Sequence, residues 1–313
     1  MKVGIDIMGG DFAPEATVIG AIEAQKALGN QDELFLFGKE EIISSILKAR
    51  GEKVEDYQIV DCPDTIEMGE NPAKAFANKP ASSVVVGYSY LKRKLIDGFA
   101  SAGSTGAMLV GAMQIIKSIP GIIRPSIASA LPKLNGGLTV VLDVGINPDC
   151  RPDVLYQYGV LGSIYSREYY KIKDPKVALL NIGSEEGKGN LLTKSAYDLM
   201  KDSKDFNFSG NIEAFDIFSN QTIDVIVCDG FVGNVILKQA EAFYEVAKAR
   251  NINDEFINKL DFEQYGAIPL LGINSVVMIG HGISKATAIK NMIIQTKNFI
   301  NCNIIEKIKE AFN

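Results

Sequence analysis

Carboxylates, hydroxyls and single lysines collect in this chain wherever an apolar run stops. Asp229-Gly230-Phe231-Val232-Gly233-Asn234 follows the run Ile223 to Cys228 and precedes Val235-Ile236-Leu237-Lys238. Gly230 and Gly233 let the backbone turn sharply and approach a ligand closely. A helix starting there would turn unpaired N–H groups toward an anion. Two readings stand for this stretch alone: an anion site, or an ordinary βα turn with Asp229 as helix cap.

The same grammar recurs. Asp6 ends an apolar opening and is followed by Gly9, Gly10 and Asp11. Ser101, Gly103, Ser104, Thr105 and Gly106 make a nest in which backbone N–H groups and hydroxyls can converge on an anion. Asp143 and Asn147 flank another turn. Asn181, Gly183, Glu185, Glu186, Lys188 and Asn190 place carboxylates and an ammonium between glycines, either as a site or as a solvated turn. His281, the one histidine of the chain, stands beside Gly282 and Ser284, open to a structural or a catalytic reading. None of these is a Walker A loop or G-x-G-x-x-G. A Ser-His-Asp triad would lack its G-x-S-x-G elbow.

The elements that must position these turns are apolar runs without polar alternation, at 3–7, 34–38, 57–61, 98–102, 138–145, 176–183, 223–228 and 275–280. Such runs suit strands covered on both faces, the condition of a parallel sheet. Helical patterns lie between them, at 15–24, 40–49, 72–77, 82–95, 152–169 and from 285 onward. Gly106 to Ile123 reads as a buried helix running into a loop, and 208–213 as a short strand or loop. The expected fold is α/β, a mostly parallel sheet flanked by helices. It forms one domain over 1–313, with a short charged helical arm at about 239–264. In such sheets ligands bind at the carboxyl ends of strands, where the polar turns fall.

With 313 residues, 47% hydrophobic and 22% charged, the chain is an ordinary globular protein. A net charge of −6 leaves no electrostatic footprint for nucleic acid. Lys92-Arg93-Lys94 is its densest basic cluster. Cys62, Cys150, Cys228 and Cys302 show no C-x-x-C spacing, so neither a disulfide framework nor structural zinc is expected. No apolar run reaches about 18 residues, and the start shows no signal-peptide pattern, so a cytoplasmic protein is expected.

Taken together, Gly4 to Asp11 with Pro14, Ser101 to Ala107, Asp143-Val144-Gly145 with Asn147, Asn181-Ile182-Gly183 with Glu185-Glu186 and Lys188-Gly189-Asn190, Asp229 to Asn234 with Lys238, and His281-Gly282 with Ser284 resemble the bacterial phosphate acyltransferases. The resemblance runs from Met1 to the last helix. It implies a fold like that of isocitrate/isopropylmalate dehydrogenases and phosphotransacetylases, and transfer of a fatty acyl group from acyl-acyl carrier protein to inorganic phosphate for phospholipid synthesis. It also implies a homodimer, without metal or organic cofactor, with weak peripheral contact at the inner face of the membrane left open. The chain departs from the family pattern at Gly103-Ser104-Thr105-Gly106, at Ala77, at Gly266-Ala267-Ile268-Pro269 and in the shortened segment Gln239 to Asp261.

Phosphate is itself the nucleophile in such a reaction, so no Ser or Cys nucleophile is needed. The remaining demands are to hold phosphate and to meet the carbonyl oxyanion with donors. The expected phosphate and substrate residues are Asp6, Gly9, Gly10, Asp11, Ser101, Gly103, Ser104, Thr105, Gly106, Asp143, Asn147, Asn181, Gly183, Glu185, Glu186, Asp229, Gly230, Phe231, Gly233, Asn234, Gly282 and Ser284. Lys188, Asn190, Lys238 and His281 are the candidate catalytic groups. Lys92 to Lys94 and Arg124 are the candidate landing surface for the acidic carrier protein. The alternatives are a phosphotransacetylase-like enzyme using acyl-CoA, a nicotinamide-dependent decarboxylating dehydrogenase and a silent scaffold. The few scattered arginines fit poorly with the dehydrogenase.

Overall fold

Each apolar run that the sequence marks as a strand forms one in the computed structural model, which describes residues 1–29 and 31–312. From the N-terminus come β1 (Lys2–Asp6), α1 (Glu15–Ala27), β2 (Glu33–Gly38), α2 (Glu40–Ala49), β3 (Gln58–Asp61), α3 (Pro72–Asn78), α4 (Ser83–Lys92), β4 (Gly98–Ser101) and α5 (Thr105–Gly111). Next are β5 (Ser126–Pro132), β6 (Leu138–Leu142), α6 (Pro152–Glu168), β7 (Lys176–Asn181), α7 (Leu191–Met200), β8 (Asn207–Glu213), β9 (Val225–Val227), α8 (Gly230–Ala249), α9 (Glu255–Asn258) and α10 (Phe262–Tyr265). The chain closes with β10 (Ala267–Leu271), β11 (Val276–Gly280), α11 (Ala286–Asn301) and α12 (Ile304–Phe312).

These elements form two compact units, Met1–Ser118 with Phe262–Ile305 and Ile119–Asp261 with Glu306–Asn313. In the first unit the strands run in the order β3-β2-β1-β4-β11-β10, parallel except where β10 meets β11. In the second the order is β5-β6-β9-β7-β8, parallel except where β5 meets β6. Each unit is therefore a mostly parallel α/β sheet. Strands distant in sequence end side by side at its carboxyl edge.

Burial follows the apolar runs. In the first unit Phe99 meets Phe37 and Tyr88 edge-on, at 5.7 and 5.4 Å between ring centroids, a favoured quadrupole geometry. The Tyr88 hydroxyl donates to the Met108 carbonyl at 2.6 Å, so the ring is buried without an orphaned polar tip. α1 buries Val18, Ala21, Ile22 and Ala24. Its Gly20 lets α11 approach, because a Cβ there would fall 2.6 Å from Ile289 Cβ. In the second unit the buried Lys133 ammonium pairs with Asp224 at 2.9 Å, while the other Asp224 oxygen accepts the Lys176 N–H.

Some elements differ from expectation. β5 and β10 appear where the sequence suggested connections and a turn. Pro269 and the Ser/Ala content of 126–130 weaken the strand signal. The helix expected from Gly106 stops at Gly111 and continues as a π turn, Ala112–Ile116. Lys117 follows at φ 69°, ψ 156°, a conformation almost confined to glycine. Asn274 holds it there: its backbone and side-chain N–H groups both donate to the Lys117 carbonyl at 3.1 Å. The region expected as an arm consists of the rest of α8, then α9 and α10. Among the described residues no helix is long and apolar enough to cross a membrane.

Candidate active site

β1, β4 and β11 lie side by side in the first unit, and their exits carry the predicted turns. Asp6 is buried at the end of β1. One carboxylate oxygen accepts the Met8 N–H at 3.0 Å, and the other accepts the Ser101 hydroxyl at 2.6 Å. Ser101 Oγ in turn accepts the Gly103 N–H at 2.9 Å. The Ser101 hydrogen is thereby committed to Asp6, so this hydroxyl shapes the turn and has none to give a ligand. Burial pushes the Asp6 carboxyl above the usual range, and the hydrogen bonds from Ser101, Ser83, Met8 and Gly9 oppose that shift.

Gly9 lies against this pair, with no space for a side chain before the Gly103 N–H. Asp11 donates its N–H to the Gly282 carbonyl at 2.8 Å, which ties the β1 exit to the β11 exit. Gly10, at φ 113°, makes that turn possible. Beyond Gly103, Ser104 caps α5 by accepting the Ala107 N–H at 3.3 Å. Among the described residues, none accepts a hydrogen bond from the N–H groups of Ser104, Thr105 and Gly106, the donors a helix start leaves over.

His281 stacks on Phe262 at 4.8 Å, and its Nδ1 accepts the Ile283 N–H at 3.4 Å. That bond places the ring hydrogen of the neutral imidazole on Nε2. Ser284 is buried close by in sequence, and its Oγ has no hydrogen-bond partner among the described residues. The loop 62–80 contributes to the same unit. Met68 lies against Gly282, and Lys79 binds Glu70 and the Thr65 carbonyl.

In the second unit the corresponding buried carboxylate is Asp143, just past β6. Its oxygens accept N–H groups from Gly145, Ile146 and Asn147 and the Asn147 side-chain amide, at 2.7–3.2 Å. Burial raises its carboxyl against these bonds, of which Asn147 supplies the strongest. Asn147 also accepts the Gly230 N–H at 2.8 Å through its carbonyl. Asp229 accepts the Val232 N–H at 2.9 Å, so the capping reading of Asp229 is the observed one. Gly233 lies against the Asp143 carbonyl, and Asn234 against Gly145. Lys238 sits two turns into α8, roughly 12 Å along the axis, with its ammonium 2.7 Å from Glu241.

The loop after β7 is stapled from within. Asn181 donates to the Lys188 carbonyl and to Asn211 Oδ1, both at 3.1 Å, while Asn211 donates to the Glu185 carbonyl at 2.9 Å. Lys188 stands 3.7 Å from Glu185, and Glu186 binds Lys201. Asn190 caps α7 with its side-chain oxygen on the Thr193 N–H. Gly183 fits against the Lys188 stem, and Phe231 projects into solvent. The sequence reading missed Asn211, for which Ser209-Gly210-Asn211, with Gly210 at φ 85°, was the available signal.

Burial first, then nearby carboxylates, pushes the Cys62 thiol up to about 12 and Cys150 up to about 11, and burial drives Cys228 well above its ordinary value. These thiols stay protonated and are not nucleophiles. Among the described residues no group of three or more His, Cys, Asp or Glu is arranged to hold a metal ion.

Residues 1–307 match the family described as fatty acid synthesis protein. The phosphate acyltransferase of Dictyoglomus turgidum is 41% identical over 332 aligned residues, covering 100% of this chain and 98% of that relative. Among solved structures, a phosphotransacetylase from Streptococcus pyogenes superposes with a TM-score of 0.65 at 22% identity, covering 98% of this chain and 94% of its own. A 4-hydroxythreonine-4-phosphate dehydrogenase from Klebsiella pneumoniae superposes with a TM-score of 0.57 at 11% identity, covering 96% and 98%. Both structures share the fold.

Proposed function

The chain belongs to the phosphate acyltransferase family of fatty acid synthesis proteins, and from that premise we propose its reaction in full. It is an acyltransferase that moves an acyl group to inorganic phosphate in fatty acid and phospholipid synthesis. The donor in this proposal is a fatty acyl thioester of acyl carrier protein. What carries the reading is 41% identity across the whole chain to a protein named phosphate acyltransferase, with polar turns at the strand exits of both units.

A phosphate oxygen attacks the thioester carbonyl carbon, forming a C–O bond while the carbonyl π pair moves onto oxygen. The oxyanion collapses, the C–S bond breaks, and the thiolate leaves and takes up a proton, giving an acyl phosphate and a free thiol. Phosphate brings its own charge and nucleophilicity. The protein's part is to position it and to stabilise the oxyanion, where one preorganised donor contributes about 3–4 kcal/mol.

In the first unit, the Ser104, Thr105 and Gly106 N–H groups with the Thr105 hydroxyl are assigned to phosphate. Ser101 and Asp6 fix the turn that carries them. His281, through Nε2–H, is assigned to the oxyanion or the departing thiolate. In the second unit, Lys188 and the α8 turn are assigned to the acyl donor, and Asp143, Asn147 and Asn181 position those loops. Asn190 and Lys238 act through α7 and α8, since one caps a helix and the other pairs with Glu241. The proposal takes the two compact units of 1–313 together as one acyltransferase that works as a cytoplasmic homodimer and needs no metal or organic cofactor.

The test is phosphate-dependent release of thiol from palmitoyl-acyl carrier protein, with palmitoyl-CoA and acetyl-CoA in parallel. Turnover of the carrier-protein thioester in preference to both CoA esters is expected. Turnover of acetyl-CoA alone would overturn the donor assignment, and no release from any of the three would overturn the reaction.

A further inference from the structure

We propose that the segment from Thr65 to Lys79 is a strap that selects phosphate over water as the group attacking the thioester. Met68 and Pro72 cover the turns at Gly282 and Gly106, and Lys79 fastens them there. This rests on the acyl-transfer reading and deepens it. The turn from Ser101 to Gly106 is assigned to phosphate and His281 to the oxyanion, so both contacts of the strap fall on loops that carry reacting groups.

The contacts are close. A Cβ at Gly106 would fall 2.5 Å from Pro72 Cγ and 3.1 Å from Pro72 Cβ, so the pyrrolidine ring stands where a side chain would. A Cβ at Gly282 would fall 2.7 Å from the Met68 methyl. The Gly282 carbonyl in turn accepts the Asp11 N–H, so Met68 sits where the exits of β1 and β11 are joined. Neither the ring nor the thioether carries a hydrogen to donate. What they give the site is cover and not a ligand.

The strap is drawn together from inside. At its base the Asp64 N–H donates to the Ala81 carbonyl at 3.4 Å and the Ser82 N–H to the Lys79 carbonyl at 3.1 Å. The Lys79 ammonium donates to the Thr65 carbonyl at 2.7 Å and pairs with Glu70, whose Oε1 also accepts the Glu67 N–H at 2.9 Å. Lys79 is thus a positioning residue, joining the base of the strap to the turn 67–70 that carries Met68. Asn71 caps α3 by accepting the Lys74 N–H, which sets Pro72 at the head of that helix. The pairing with Lys79 also offsets the Glu70 charge, which would otherwise oppose an anion on the turn beneath Pro72.

Phosphate and water break the same C–S bond and free the same thiol. Attack by phosphate leaves acyl phosphate. Attack by water forms the C–O bond to the water oxygen, passes one of its protons to the departing thiolate and leaves free fatty acid. Phosphate has to be held to within about 1 Å of its productive position. Cover over the two turns keeps water out and strengthens every polar contact to the phosphate that remains.

The test follows two products from palmitoyl-acyl carrier protein and radiolabelled phosphate: thiol released and acyl phosphate formed. The proteins are the parent, Met68→Ala, Lys79→Met, Lys79→Arg and, as a control on α2, Ile42→Ala. The parent should form acyl phosphate in step with thiol. Loosening the strap by about 1 Å slows phosphate attack by up to about 100-fold and leaves water unhindered, so the hydrolysed share of the thiol should rise about tenfold in Met68→Ala and Lys79→Met. Lys79→Arg, which keeps both bonds, should restore the parent ratio, and Ile42→Ala should match it. A mere loss of stability lowers both products together and leaves their ratio as it was. An unchanged ratio in Met68→Ala, a half-exposed position that tolerates truncation, would overturn the strap's role and leave the reaction standing, whatever Lys79→Met does. So would a leak in Ile42→Ala equal to that in Met68→Ala. A parent that releases thiol without acyl phosphate, or releases none, would overturn the acyl-transfer reading and the strap with it.

Discussion

Gly230→Ala tests how the first turn of α8 is seated. A Cβ at Gly230 would fall 2.8 Å from the Asn147 nitrogen and 3.0 Å from the Asn147 carbonyl carbon and oxygen, all backbone atoms that cannot rotate away. Ordinary contacts of this kind lie at about 3.5–4.0 Å, so the helix start must retreat by roughly half an ångström to 1 Å. Overpacking of that kind costs about 1–3 kcal/mol, and losing the Gly230 N–H bond to Asn147 adds about 1 kcal/mol. The better helix propensity of alanine returns at most about 1 kcal/mol, so the net destabilisation is about 2 kcal/mol. Gly187→Ala is the matched control, since a Cβ there would meet no described atom beyond its chain neighbours within 4 Å. Two units need not unfold together, so the readout should be local. Amide exchange in the first turn of α8 should accelerate about 30-fold in Gly230→Ala and stay unchanged in Gly187→Ala. The KM for the acyl donor should rise with it. Equal exchange in the two variants would refute the close seating of α8 on Asn147.

Ser101→Ala leaves the Asp6 carboxylate and the Gly103 N–H each short of a partner, a cost of about 1–3 kcal/mol. Steady-state kinetics should show the phosphate KM raised about tenfold, with a smaller change for the acyl donor. Lys117→Gly relieves a φ of 69° at an exposed side chain; strain of about 1–3 kcal/mol outweighs the added chain entropy of glycine, and thermal denaturation should show a gain near 1 kcal/mol. Lys297 lowers the Asp32 carboxyl to about 2, with further bonds from the N-terminal ammonium and Gly29. A depressed carboxyl stabilises the fold above its unfolded value near 3.8, and that contribution disappears as pH falls toward 2. Lys297→Gln should therefore lower stability at neutral pH and flatten the acid limb between about pH 4 and 2 in a denaturant titration.

The strands carrying the site were legible because burial on both faces demands unbroken apolar runs, as in Val140-Val141-Leu142 and Val276 to Ile279. Their exits were legible because close turns need glycine. β5 and β10 were not, since Ser126 to Ala130 is small and polar in part and Pro269 removes a donor. Nor could the sequence show where each hydrogen goes. Ser101 and Asp6 are 95 residues apart, and only folding commits one to the other. Gly230 reads as an open donor until Asn147, from a different strand exit, is found accepting its N–H. The positions of the turns could thus be read from the sequence, while the hydrogen-bond partners within them, such as Ser101 with Asp6 and Gly230 with Asn147, needed coordinates.

The order of strands also sets a timetable for synthesis. β4 ends at Ser101, but its neighbour β11 begins only at Val276. At about 5–20 residues per second, a ribosome needs roughly 10–35 s to cross that interval. Throughout it, one edge of β4 waits with unpaired N–H and C=O groups, the kind of edge that recruits other chains. α11, whose Ile289 packs on Gly20 of α1, emerges later still. The N-terminal third of the protein is thus synthesised long before its sheet can close, and the nascent chain at that stage is a natural client for chaperones that shield strand edges.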